Sequence, residues 1–125
     1  MSNNVVIWAD IPVLDLPRAM KFYADVTGEQ VLQFPGMDDV AVIGNPADGP
    51  LISADLYVGK PSRDGVTVYL NTHGDIDGML ARGVEAGGEV VRESAFMGDM
   101  VGWIATFIDS EGNRIGLQQQ KKADA

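Results

Sequence analysis

Three carboxylates, one histidine and a few aromatic side chains are the residues here whose types and spacing could do chemistry. Asp10, Asp55 and Glu111 could between them hold a divalent cation. Asp10 could act as a general base if burial raised its pKa toward neutrality. Glu111 stands in "SEGN", where a solvated turn residue is expected. His73 is the single histidine, so poly-histidine metal sites and a Ser-His-Asp triad are hard to build. Within "NTHGD" it reads as a loop or cap residue. There is no cysteine, which removes disulfides, a thiol nucleophile and cysteine-ligated zinc or iron–sulfur sites. Trp8 and Tyr69 offer large flat surfaces with one polar tip each, suited to planar or cationic guests. Gly116 interrupts the strand-like run "NRIGLQQQ", and such a glycine marks a bulge or a close approach.

Charge narrows the partners. The chain carries 18 acidic residues against 9 Lys and Arg, a net charge of −9. That field repels phosphate backbones and anionic membrane surfaces, so neither nucleic acid nor membrane is an expected partner, while a cationic ligand is favoured. No apolar run reaches spanning length, and "MSNNVVIWAD" has no basic leader-like region. A soluble, cytoplasmic protein is the expectation.

The elements that must position these residues come as a repeat. "DLPRAMKFYADVTGEQV" starts at Asp15 and "DIDGMLARGVEAGGEVV" at Asp75, an offset of 60 residues that runs without a gap. Each has an N-cap aspartate, an apolar stripe and a closing glycine (Gly28, Gly88) before a strand. The stripes are Leu16, Ala19, Met20, Tyr23 and Val26 in the first, and Ile76, Met79, Leu80 and Val84 in the second. A strand precedes each helix, "VVIWADIPV" and "VTVYLNT". Three follow each: "QVLQF", "VAVIG" and "LISADLYVG", then "EVVRESAF", "GWIATFID" and "NRIGLQQ". Gly- and Asp-rich turns such as "FPGMDD" and "NPADGP" separate them. At 125 residues one domain is expected, α+β in class, with order β-α-β-β-β twice. Module one covers about 5–59, a linker 60–65, module two about 66–119, and a fraying tail 120–125. The apolar faces of "VAVIG" and "WIATFI" are expected to be core.

"IPVLDLPRAMKFYADVTG" and "MVGWIATFIDSEGNRIGL" resemble the opening and closing signatures of the vicinal oxygen chelate superfamily, which includes glyoxalase I, extradiol dioxygenases and the fosfomycin- and bleomycin-resistance proteins. The resemblance spans about residues 5 to 119. It implies two βαβββ modules, each a curled sheet cupping a pocket with a helix outside. Because members pair modules within or between chains, it also implies a homodimer. Metal-dependent members hold a divalent ion through His, Glu or Gln on the first and last strands of each module.

Carried onto this chain, those positions fall on Trp8, Thr67, Gly116 and either Ala54 or Asp55. Tryptophan nitrogen is a donor only and cannot ligate. Threonine is a poor ligand and glycine has none to offer, so no metal cofactor is expected. Strand alternation sets Ile7, Ala9, Ile11 and Val13 toward a helix and Trp8, Asp10 and Pro12 toward the pocket. The inferred pocket carries Trp8, Asp10, Thr67, Tyr69, Asn71, Gly116 and Gln118, with Asp55 and Trp103 as further candidates and Met97 and Met100 as a lip. In this reading Gly116 faces Trp8. The aromatic rings either plug a vestigial cavity or receive a small organic guest, cationic or aromatic, in the manner of the bleomycin-resistance branch. The alternative is a lyase, isomerase or dioxygenase with a relocated metal site or with Asp10 as base.

Overall fold

In a computed structural model, residues 5–48 and 52–120 are described; the end of the "NPADGP" turn, Leu51 and the last five residues of the tail lie outside them. The order is β1 (Trp8–Val13), α1 (Leu16–Thr27), β2 (Val31–Gln33), β3 (Val40–Ile43), β4 (Ser53–Val58), β5 (Val68–Asn71), α2 (Ile76–Glu85), β6 (Glu89–Phe96), β7 (Trp103–Ile108) and β8 (Arg114–Gln119). Two four-stranded sheets form, ordered β1-β4-β3-β2 and β5-β8-β7-β6. In each, the strand before the helix pairs in parallel with the last strand, and the other pairings are antiparallel. This is the α+β, twice-repeated βαβββ architecture.

Both helices begin as their sequences require. The Asp15 carboxylate accepts from the Arg18 amide at 3.0 Å and that of Asp75 from the Gly78 amide at 3.1 Å, satisfying donors that the first turn leaves open. The C-termini differ. Gly28 caps α1 in the left-handed region at φ 73°, whereas α2 closes at Ala86. Gly88 is instead a close approach: a Cβ there would lie 2.7 Å from the Ile108 carbonyl oxygen.

The buried face of α1 is Leu16, Ala19, Phe22, Tyr23 and Val26, and that of α2 is Ile76, Met79, Leu80 and Gly83. Phe22 joins the expected stripe. Val84 leaves it and is 46% exposed, because Gly83 is the residue that packs under the Phe107 ring. These faces meet Ile11, Val13 and Leu56 of one sheet and Ala105, Phe107, Ile115 and Leu117 of the other in one hydrophobic cluster. Each fully buried side chain of this size contributes about 1.5–3 kcal/mol. The helix-bearing faces of both sheets therefore point inward, and their opposite faces point outward.

Candidate functional site

Alternation along β1 buries Ile11 and Val13 and leaves Trp8 and Asp10 on the outward face; Ile7 precedes the strand and is exposed. The parallel register with β4 sets Asp10 beside Asp55, and Ala54, the other candidate at that position, is buried core. The Trp8 Nε1–H donates to Asp55 Oδ2 at 2.8 Å. Burial and the neighbouring Asp10 carboxyl push Asp55 up to about 6, against the lowering effect of the Trp8 hydrogen bond. These side chains open onto a cavity of about 430 Å³ whose other walls are Phe34, Met37, Val40, Val42 and Tyr57.

Five lining residues escape the sequence reading. Val40 and Val42 sit in "VAVI", an all-apolar run in which period two cannot be seen. The register shows it: Val42 is opposite Asp55 and Val40 opposite Tyr57. Phe34 and Met37 belong to the "FPGMDD" turn segment. Tyr57 follows from Asp55 by alternation once the choice between Ala54 and Asp55 is made.

The remaining expected pocket residues lie on the other sheet. Tyr69 is opposite Gly116 and Asn71 opposite Gln118, on the outward face of β5 and β8. Gly116 does not face Trp8. The Tyr69 ring covers it, and an added Cβ would run into that ring. A second hollow, about 470 Å³, is lined by Tyr69, Asn71, Thr72, Gly74 and Gln118 among others. Asn71 Oδ1 accepts from the His73 amide, and Gln118 Nε2 donates to the Val101 carbonyl. Thr67 precedes β5 rather than lying in it and accepts from Arg114 Nε at 3.1 Å.

Trp103 faces the helices, not the outward face: it is opposite Gln119, packs against the core and lies 5.6 Å from the Phe96 ring. Met97 and Met100 stand in the β6–β7 connection, 47% and 90% exposed, and line neither hollow. His73 is an exposed loop residue at φ 51°.

Glu111 overturns its expectation most clearly. Its side chain is buried, not solvated. Oε1 accepts from the Leu14 and Asp15 amides, both at 2.9 Å, and from Arg18 Nη2 at 2.8 Å, while Oε2 accepts from Arg18 Nε at 2.6 Å. Burial alone would raise this carboxyl, but Arg18, the Asp15 amide and the Ser110 hydroxyl hold it down at about 2. So engaged, it does not join Asp10 and Asp55 in a relocated metal site.

Nor do the usual positions suit an ion that needs several imidazole or carboxylate donors. Trp8 has no lone pair to give, Thr67 is engaged by Arg114, and Tyr69 covers Gly116. Asp55 alone supplies a carboxylate there. Among the described residues no group of three or more His, Cys, Asp or Glu is arranged to hold a metal. The donor set does not fit the group.

Fold and sequence agree on the class. Residues 5–117 match the model of the Glyoxalase/Bleomycin resistance protein/Dioxygenase superfamily, and the chain belongs to that superfamily. Among curated proteins it is similar to a probable lactoylglutathione lyase of Vibrio parahaemolyticus, 29% identical over the whole chain and 97% of the relative. Among solved structures it resembles a glyoxalase/bleomycin resistance protein from Albidiferax ferrireducens, with a TM-score of 0.71 at 18% identity, covering 92% of this chain and 98% of that one. It also resembles an antibiotic binding protein from a Streptomyces species, with a TM-score of 0.62 at 24% identity, covering 97% and 99%. At such identities these structures speak for the fold.

Proposed function

We propose that this protein binds a small organic molecule, cationic or aromatic, in the cup formed by the first sheet, and that it does so without a metal. The observation that carries this is the cup itself: Trp8, Phe34, Met37 and Tyr57 around a pair of carboxyls, Asp10 and Asp55, of which Asp55 accepts from the Trp8 indole. Apolar walls with a few convergent polar groups describe a small-molecule site. The antibiotic binding protein among the structural neighbours is consistent with a binder of this fold. The cup is open on one side, and we propose that a second copy of the chain closes it with the outward face that bears Tyr69, Asn71 and Gln118. The working form is then a homodimer in the cytoplasm.

A thermal-shift screen with cationic and aromatic small molecules tests this reading. Hits are expected to raise Tm in the wild type and to lose that shift in Trp8→Ala, with circular dichroism showing the variant folded. A shift that survives Trp8→Ala unchanged places the ligand elsewhere and overturns the assignment.

One observation favours a second reading. A carboxyl near pH 6 is poised for proton transfer at neutral pH, and Asp55, raised to about 6, is such a group; sequence alone suggested Asp10. On this second reading the protein is an enzyme with Asp55 as its general base. Turnover in a lactoylglutathione lyase assay, abolished by Asp55→Asn, would support that reading over simple binding.

A further inference from the structure

Resting on the reading of the first-sheet cup as a small-molecule site, we infer that its ligand is an apolar organic cation whose positive centre sits against the Asp10–Asp55 pair and displaces a proton as it binds. The cup is almost wholly apolar in its walls, from Phe34, Met37, Val40 and Val42 to the Trp8 and Tyr57 rings, and its polar floor is this one pair. Asp10 and Asp55 are register partners on adjacent parallel strands. Two carboxylates so placed cannot both ionise cheaply. Trp8 donates one hydrogen bond to Asp55, and among the described residues no Lys, Arg or His lines the cup to neutralise the pair. From β1 the groups facing Asp55 are Asp10 and the Trp8 indole, from β3 only valine, and on its own strand Tyr57. A guest cation therefore supplies the missing counter-charge, and the Trp8 ring offers it an aromatic surface. A neutral aromatic guest would leave the repulsion between the carboxylates in place.

The proton balance is simple. In the free cup Asp55 takes up a proton as pH falls through about 6. The cation binds the fully ionised pair, and that proton leaves to solvent. Affinity then rises as pH rises and levels off above the free-state pKa.

The test uses benzyltrimethylammonium, whose charge does not titrate, and neopentylbenzene, its neutral carbon isostere, measured by calorimetric titration of the intact protein. With a free-state pKa of about 6, affinity for the cation is expected to rise roughly tenfold from pH 5 to pH 7. At pH 5 the heat should vary with the ionisation enthalpy of the buffer, showing proton release. Asp55→Asn keeps an oxygen for the Trp8 donor and should bind the cation more weakly, with no pH dependence; Asp10→Asn gives an independent check of the pair. Equal binding of the isostere, or pH-independent binding of the cation to the wild type, overturns the cation assignment while leaving the small-molecule site intact. If neither probe binds at any pH, the reading of the cup as a site for small aromatic guests falls as well.

Discussion

Two carboxylates in this protein are displaced in opposite directions, and the contrast predicts how stability follows pH. Asp55 is raised from 3.8 to about 6, so the folded state holds its proton more tightly than the unfolded chain does. Its contribution is fully present below about 3.8 and is lost as pH rises through 6. Glu111 is lowered from 4.5 to about 2, so its contribution is present above 4.5 and is lost as pH falls toward 2. Asp55→Asn is therefore expected to raise Tm at pH 7 to 8, with the gain disappearing below pH 4. Glu111→Ala removes the acceptor for two amides and for Arg18, and should cost about 2 kcal/mol or more at pH 7. Its penalty should shrink on acidification. Thermal melts of the three proteins from pH 3 to 8 read both trends. Parallel Tm curves for the two variants would show that the displacements are assigned wrongly.

At the scale of the elements, Gly88 and Gly116 look alike in the sequence and should behave differently. A Cβ at Gly116 meets the Tyr69 ring, which is 45% exposed and can swing away at a cost of about 1 kcal/mol. A Cβ at Gly88 meets the Ile108 and Gly83 carbonyl oxygens at 2.7 and 2.8 Å. Backbone cannot swing, so Gly88→Ala should cost about 2–3 kcal/mol. Urea unfolding of the two alanine variants gives the order directly, and a reversed order would mean that Tyr69 is held more firmly than its exposure indicates. The same elements show what sequence could reveal. The helices were legible because their stripes and N-caps are local, and the 60-residue repeat carried the sheet topology. The alternation that places Trp8 and Asp10 outward is local as well. What sequence hid is non-local. Arg18 and Glu111 are 93 positions apart, Tyr69 covers Gly116 only through the β5–β8 register, and the four apolar residues of β3 give no sign that Val40 and Val42 line the cup. Trp103 lies one residue out of phase with the pocket face, because Ile104 is the residue opposite Gln118.

For the whole molecule, the question is what covers the outward faces. Within one chain the halves meet through α1 against α2 and through the β7–β8 turn, where Tyr23 and Asp109 hydrogen-bond at 2.5 Å. Every strand pairing stays within its own sheet. Trp8, Phe34 and Met37 on one outward face remain 37%, 44% and 46% exposed, and Tyr69 on the other 45%. Apolar side chains clustered in this way commonly mark an interaction surface. Pairing two copies face to face would bury them and enclose the cup. Against this stands the charge: each copy carries −9, so association pays a repulsion that salt screens within a Debye length of about 8 Å at physiological ionic strength. The proposed dimer should therefore tighten as salt is added, the reverse of an interface held by ion pairs. Light scattering after size exclusion is expected to give twice the 13.4 kDa chain mass at 150 mM salt and a growing monomer fraction at 10 mM. Met37→Asp, which adds a charge on the cup wall, should favour the monomer at both salt concentrations. A wild type that stays monomeric at high salt and tens of micromolar protein would show that the cup works open, with the ligand covered by solvent on one side.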